Sequence, residues 1–196
     1  MKIGELIDRN FNVDKIAYTV QELLEQVRIG QEGECLVLDE SGVAFGSRRA
    51  MSRDNVILSN VLETFRFKSL ALLLCVPDLG QVDINARRLA HVFIETKQID
   101  YEHQLLIVKW FNIHVDRWSG EILHKYPRVM IPRKGIYIIN EVAFTRPSKR
   151  LREAYEIKKK GAFEDLLEEC ETMIDEANEK KTTQDNKRRE KKAVLD

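Results

Sequence analysis

Cysteine is scarce in this chain. The three thiols, at positions 35, 75 and 170 of 196, are odd in number and far apart. That spacing excludes a disulfide framework and a cysteine zinc site, and their apolar surroundings predict buried, reduced thiols. Long apolar runs are missing too. A membrane-spanning helix needs about 18 or more consecutive apolar residues, no run here approaches that, and the start, MKIGELIDRN, has no signal-peptide core. An excess of either charge is also absent. Lysine plus arginine number 32 and aspartate plus glutamate 32, so only local asymmetry could attract a polyanion. The histidines, at 91, 103, 114 and 124, form no i, i+4 pair and have no cysteine beside them, which excludes a legible zinc site. No Ser-His-Asp or Cys-His arrangement is readable. These absences predict a cytoplasmic protein with no membrane partner.

What is there suffices for one domain with a sizeable core, alone or with an appendage: 43% of the residues are hydrophobic. The first half alternates strand-like and helix-like segments. DKIAYT (14–19) reads as a short strand ending in Thr19, a cap for the helix VQELLEQVR (20–28). ECLVLD (34–39) has the continuous apolar character of a strand buried on both faces. In DNVILSNVLETFRF (54–67), Leu58, Val61, Leu62 and Phe65 fall on one helical face. SLALLLCV (69–76) reads as a second buried strand, VDINARRLA (82–90) as a short helix and HVFIET (91–96) as another strand. Strands separated by helices predict a parallel sheet with crossover helices through about residue 96. Three strand-like stretches, 103–116, 121–131 and 135–144, follow with short turns DRWSGE and PRKG between them, which predicts antiparallel strands. From Pro147 the chain turns helical and charged. Ser148 is a cap, Ala162, Leu166, Cys170, Met173 and Ala177 form a stripe suited to packing on the chain's own domain, and Gly161 is a candidate break between two helices. The expected organisation is a core over 1–146 that includes the antiparallel strands at 103–144, helices over 147–179, and a basic, disordered tail over 180–196.

The stretch with the most chemistry is GECLVLDESGVAFGSRR, residues 33–49. An apolar strand runs into two adjacent acids, Asp39 and Glu40. In nucleotide hydrolases built on a parallel sheet, the edge where strands end holds phosphates and Mg²⁺. An apolar strand ending in Asp-Glu has the form called Walker B, with Asp39 on the metal side and Glu40 activating water. The alternative is a strand that emerges into solvent with hydrated acids. Asp78, just past Pro77 at the end of the next strand, is either a sensor of the terminal phosphate or a turn-forming residue.

The block from Cys35 to Glu95 resembles a group of archaeal P-loop ATPases related to the FtsK/HerA class of DNA-translocating and viral DNA-packaging motors. The motifs that carry the resemblance are VLDE followed by SGVAFGSRR, then NVLETFRFKSLALLLCVPDL and ARRL. It extends through the hairpins to RPSKRLREAYEIKK, most of the chain. The resemblance implies an α/β fold, Mg²⁺ and ATP, Asp39 and Glu40 as Walker B acids with Asp39 holding Mg²⁺, DNA as the substrate, and a ring-like, hexameric homo-oligomer. It makes Arg48, Arg49 and Arg66 candidates for reaching nucleotide across a subunit boundary. Each arginine has a plainer reading, as a solvated basic loop or a helix C-terminal cap.

One departure is large. The family needs a GxxxxGK[ST] loop, whose backbone N–H groups and lysine cradle the phosphates, and no such run occurs. Against the family's pattern, Met1 falls about one strand, one loop and most of a helix late. A shortened chain or miscalled start, a split protein, or a relative that has lost the loop would each account for it. Two functions follow as expectations: the greater part of a motor ATPase, inactive alone, or a binding or assembly protein that keeps the motor fold. Two features bear on nucleic acid. Trp110, Phe111 and Trp118 lie among Lys109, Arg117 and Lys125, as in single-strand binders or in an ordinary half-exposed strand. NKRREKK (186–192) suits phosphate contacts or simple solubility.

Overall fold

Cys35–Leu38 form strand β2, and all four side chains are buried. It lies between two parallel neighbours, β1 (Ile16–Ala17) and β3 (Ala71–Leu74), with Ala17 and Leu74 both opposite Leu38. Burial on both sides explains why β2 is unbroken by polar residues. The computed structural model describes residues 1–39, 62, 65, 67–82 and 84–193; of 81, 166, 169 and 175–193 it describes the backbone alone. The chain divides into two compact units, 1–151 and 152–196.

Between β1 and β2 runs helix α2 (Val20–Ile29), preceded by α1 (Lys2–Ile7) and a 3-10 turn at Val13–Lys15. Thr19 starts α2 as its spacing predicts: its hydroxyl accepts from the Glu22 N–H at 3.1 Å, and the Glu22 carboxylate accepts from the Tyr18 N–H at 2.8 Å. Val20, Leu23 and Val27 then share one face, and they pack with Ala17, Leu36, Leu38 and Phe65. Burying each large side chain there contributes about 1.5–3 kcal/mol. Of the helix expected over 54–67, Leu62, Phe65 and Phe67 are described and helical; Phe65 is buried and Leu62 packs beside it, while Leu58 and Val61 lie outside the described residues. β3 is half-buried instead of buried.

The expected extent of the parallel sheet needs correction. After the short helix α3 (Ile84–Leu89), strand β4 (Val92–Asp100) pairs antiparallel with the long β5 (Leu105–Val115), so it belongs to a second sheet. The stretches read as single strands over 121–131 and 135–144 are each divided in two: β6 (Ile122–Lys125) and β7 (Arg128–Ile131), β8 (Gly135–Ile138) and β9 (Glu141–Thr145). Pro127, which has no N–H to give a ladder, marks the first division. β6 and β9 share the far edge of β5, and β7 and β8 leave the sheet to form a hairpin of their own. The turns fall where expected. Asp116 Oδ1 accepts from the N–H groups of Trp118 and Ser119, Gly120 takes a positive φ of 71°, and Arg133 and Gly135 do the same between β7 and β8.

Ser148 caps the last helix, α4, its Oγ accepting from the Leu151 N–H at 3.3 Å, while its own N–H donates to the Glu5 carboxylate. α4 runs Lys149–Ala193 without a break. Gly161 therefore does not end a helix, and the segment expected to be disordered is helical to Ala193; glutamate, lysine and arginine on either side are strong helix formers. Of the expected stripe, Ala162 is half-buried and Cys170 and Met173 are exposed; the side chains of Leu166 and Ala177 are not described. Cys35 is buried but Cys75 and Cys170 are exposed, which corrects the expectation of three buried thiols.

Candidate functional site at the carboxyl rim of the parallel sheet

Because β1, β2 and β3 are parallel, their carboxyl ends share one rim, where Tyr18, Asp39 and Cys75 follow them. The ladder continues to that edge. The Asp39 N–H donates to the Ala17 carbonyl at 2.9 Å, and the Cys75 N–H to the Leu38 carbonyl at 3.0 Å. Asp39 is thus held by its backbone, and its side chain is half-buried. Glu40, Arg48, Arg49 and Arg66 lie outside the described residues.

Asp78 does a local job. Its Oδ1 accepts from the Gly80 N–H at 2.8 Å and starts the 3-10 turn Leu79–Gln81. The turn-forming reading accounts for that carboxylate. The amino terminus of α2 opens onto the same rim, but Thr19 and Glu22 already occupy donors there. Mg²⁺ in a nucleotide site is held through one or two carboxylates, with phosphate oxygens and water completing six positions. A half-buried rim carboxylate such as Asp39 fits that demand. Among the described residues, no three His, Cys, Asp or Glu side chains converge as a ready-made metal site.

The opposite, amino end of β2 holds a cluster that sequence reading missed. Asp8 is buried, and its carboxylate accepts from Lys15 Nζ at 2.6 Å, from the Asn10 N–H at 2.8 Å and from the Cys35 N–H at 3.2 Å. Lys15 Nζ also lies 2.9 Å from Glu34 Oε1. Burial raises the Asp8 pKa, but the bonds from Lys15, Asn10 and Cys35 outweigh it and hold the carboxyl below its ordinary value. Burial likewise works against the Lys15 charge and is outweighed by its two carboxylates, so its pKa is raised. A backbone bond at Gln31, and then Lys15, hold Glu34 low. Burial and the Asp8 charge push the Cys35 thiol up to about 11, which keeps it protonated and unreactive at neutral pH. The sequence signal was slight: Glu34 stands immediately before an apolar strand, yet Asp8 comes 27 residues before Cys35.

Strand parity puts the two aromatic residues of β5 on opposite faces, Phe111 with Lys109 on one and Trp110 on the other. Phe111 packs with Phe93, His124 and Tyr126, with ring centroids 4.9–6.1 Å apart. Trp110, on the other face, packs with Phe144 at 6.4 Å, and Lys109 pairs with Glu95 at 3.4 Å. Trp118 alone of the three is open, 98% exposed in its turn. His103 sits by Asp100 at 2.8 Å on the surface. Among the described residues no helix is long and apolar enough to cross a membrane. Compared with known proteins, the chain matches no family model, no curated protein and no solved structure.

Proposed function

We propose that the chain is the Walker B portion of an ATPase of the nucleic-acid-motor type, a P-loop core without its phosphate loop, with Asp39 as the Mg²⁺-side acid and Glu40 as the acid that orients water. One observation carries the reading: Asp39 follows a fully buried strand with parallel neighbours on both sides, at the carboxyl rim. Ligands of open parallel sheets bind outside that rim. Mg²⁺, where bound, would neutralise charge on the nucleotide phosphates and on the acid. Arg48, Arg49 and Arg66 remain the candidates for reaching nucleotide in a neighbouring copy, DNA the proposed substrate, and a ring the proposed assembly.

The 196 residues contain no GxxxxGK[ST] run. Without that loop and its lysine, a triphosphate lacks several charge-assisted hydrogen bonds of roughly 1.5–3 kcal/mol each. This chain alone should therefore bind Mg-ATP weakly and turn it over negligibly. The same absence favours a second reading, a binding or assembly protein that keeps the fold without catalysis. Amide chemical-shift mapping with millimolar Mg-ATP tests both. Shifts centred on Asp39 and Cys75, dependent on Mg²⁺ and lost in Asp39→Asn, are expected of the first reading. No response at the rim would favour the second, and low-micromolar affinity in calorimetry would overturn the assigned role of the missing loop.

A further inference from the structure

The β7–β8 hairpin is apolar on both faces and covered on neither. Met130 and Ile136 face each other across it at 73% and 65% exposure, with Ile138 beside them at 60%; Val129, Ile131 and Tyr137, on the other face, are exposed as well. Together these six expose on the order of 600 Å² of mainly apolar side chain, the upper end of what a monomer carries. An isolated two-stranded hairpin is marginal in water and gains stability by packing on further strands or on a helix. Natural edges are guarded by charge and bulges, and β4 shows both, with Glu95, Lys97 and an irregularity between Thr96 and Gln98. The hairpin strands have no such guard beyond Arg128. Their surroundings are of one sign: from Ile122 to Asn140 there are four Lys or Arg residues and no acid.

The complementary surface lies on α4. Phe163, Leu167, Cys170 and Ile174, spaced i, i+4, i+7 and i+11, form one helical face, and all are exposed. The stretch Glu164–Glu179 around them holds eight carboxylates and no cation. The apolar row is about 17 Å long by helical rise, and four-residue strands span about 14 Å, so the two surfaces match in length. Each is apolar at its centre, each is exposed, and they carry opposite charge.

We propose that the β7–β8 hairpin of one copy docks on the acidic, apolar face of α4, near Phe163–Ile174, of a second copy. The contact joins two different surfaces, so two chains satisfy it reciprocally or several propagate it head to tail. The proposal stands apart from the nucleotide reading and requires nothing of Asp39.

Sedimentation velocity of the full chain tests it. The expected result is a mass that rises above 22.9 kDa with concentration and falls back in high salt. Arg133→Glu with Lys134→Glu should weaken association at least about tenfold, and so should Glu168→Lys with Glu171→Lys. The four changes combined should restore it, a rescue that a folding defect cannot produce. In a Cys75→Ser background, Met130→Cys should form an oxidative link to native Cys170 between chains. A monomer at every concentration, failure of the charge exchange to rescue, or a link formed within one chain would each overturn the proposal. So would a hairpin variant that loses nucleic-acid binding while its mass distribution stays unchanged.

Discussion

At the amino end of β2, Asp8 and Glu34 share the ammonium of Lys15, and Asp8 also holds the first N–H of the strand. At the carboxyl end of the same strand, Asp39 is fixed through its backbone and stands half-buried at the rim. Four residues of strand separate two kinds of acid. The first kind is committed to the fold: its charge is matched and its lone pairs are engaged by groups of the same chain. The second follows the strand at the rim where we propose that a ligand binds. If that proposal holds, the acids flanking the strand are not interchangeable, and substitutions at the two ends should separate their roles.

The largest effect is expected at the amino end. Asp8→Ala leaves Lys15 with Glu34 alone and removes the acceptor from the buried Cys35 N–H. Removing one partner of a buried pair costs about 3–5 kcal/mol; because Glu34 remains, about 2–3 kcal/mol is the expected loss, read as a shift of the urea midpoint at unchanged slope. A loss below about 1 kcal/mol would show the cluster to be ornamental, and the contrast between the two ends would fail.

A smaller effect follows from pH. The Asp8 and Glu34 carboxyls are held low, so their stabilisation is present above the unfolded carboxylate range, near pH 4, and is lost as the pH falls through their folded values. Lys15 is raised, so its share is complete below its unfolded value near 10.4 and is lost as the pH rises through its folded value. The Cys35 thiol adds to the alkaline limb, complete below about 8.5 and lost through about 11. Stability should be flat between these limbs, and Asp8→Asn should flatten the acid one. Glu5, Asp100 and Asp116, also held low, leave a residual acid limb in that variant. An unchanged acid limb in Asp8→Asn would contradict the cluster's role.

Next in size, Thr19→Ala should cost about 1 kcal/mol, because the Glu22 N–H loses its acceptor at the start of α2. Thermal unfolding reads it. That cap was legible, as were β2, the helix α2, the Asp116 turn and the Ser148 cap, since each rests on residues within a few positions of one another. What was not legible depends on distance along the chain. β4 reads as another strand in a βα series until its partner is known, and nothing in HVFIET says that it pairs with Asn112–Leu105 and not with β3. Pro127 hinted at a divided strand, but the departure of β7 and β8 from the sheet is a matter of which neighbours β5 accepts. Asp39 was readable as a strand-end acid, whereas Asp8 and Lys15 were not readable as its structural counterpart, because their common strand lies far ahead in sequence.

The smallest change in stability is expected at the rim. Asp39→Asn keeps the size of the side chain, the backbone bond to Ala17 and the buried strand before it; on the proposed ligand role, the unfolding free energy should move by less than about 1 kcal/mol. If Asp39 instead serves the fold as Asp8 does, the same variant should lose 2 kcal/mol or more, on the order expected for a broken buried pair. Measuring both variants in one denaturant series makes the comparison direct, since each removes one carboxylate charge at one end of one strand. A large loss at Asp8 with a near-neutral change at Asp39 leaves the rim acid without a structural task, which is what a residue kept for Mg²⁺ and phosphate requires. Equal losses would remove the physical ground for assigning Asp39 to a ligand.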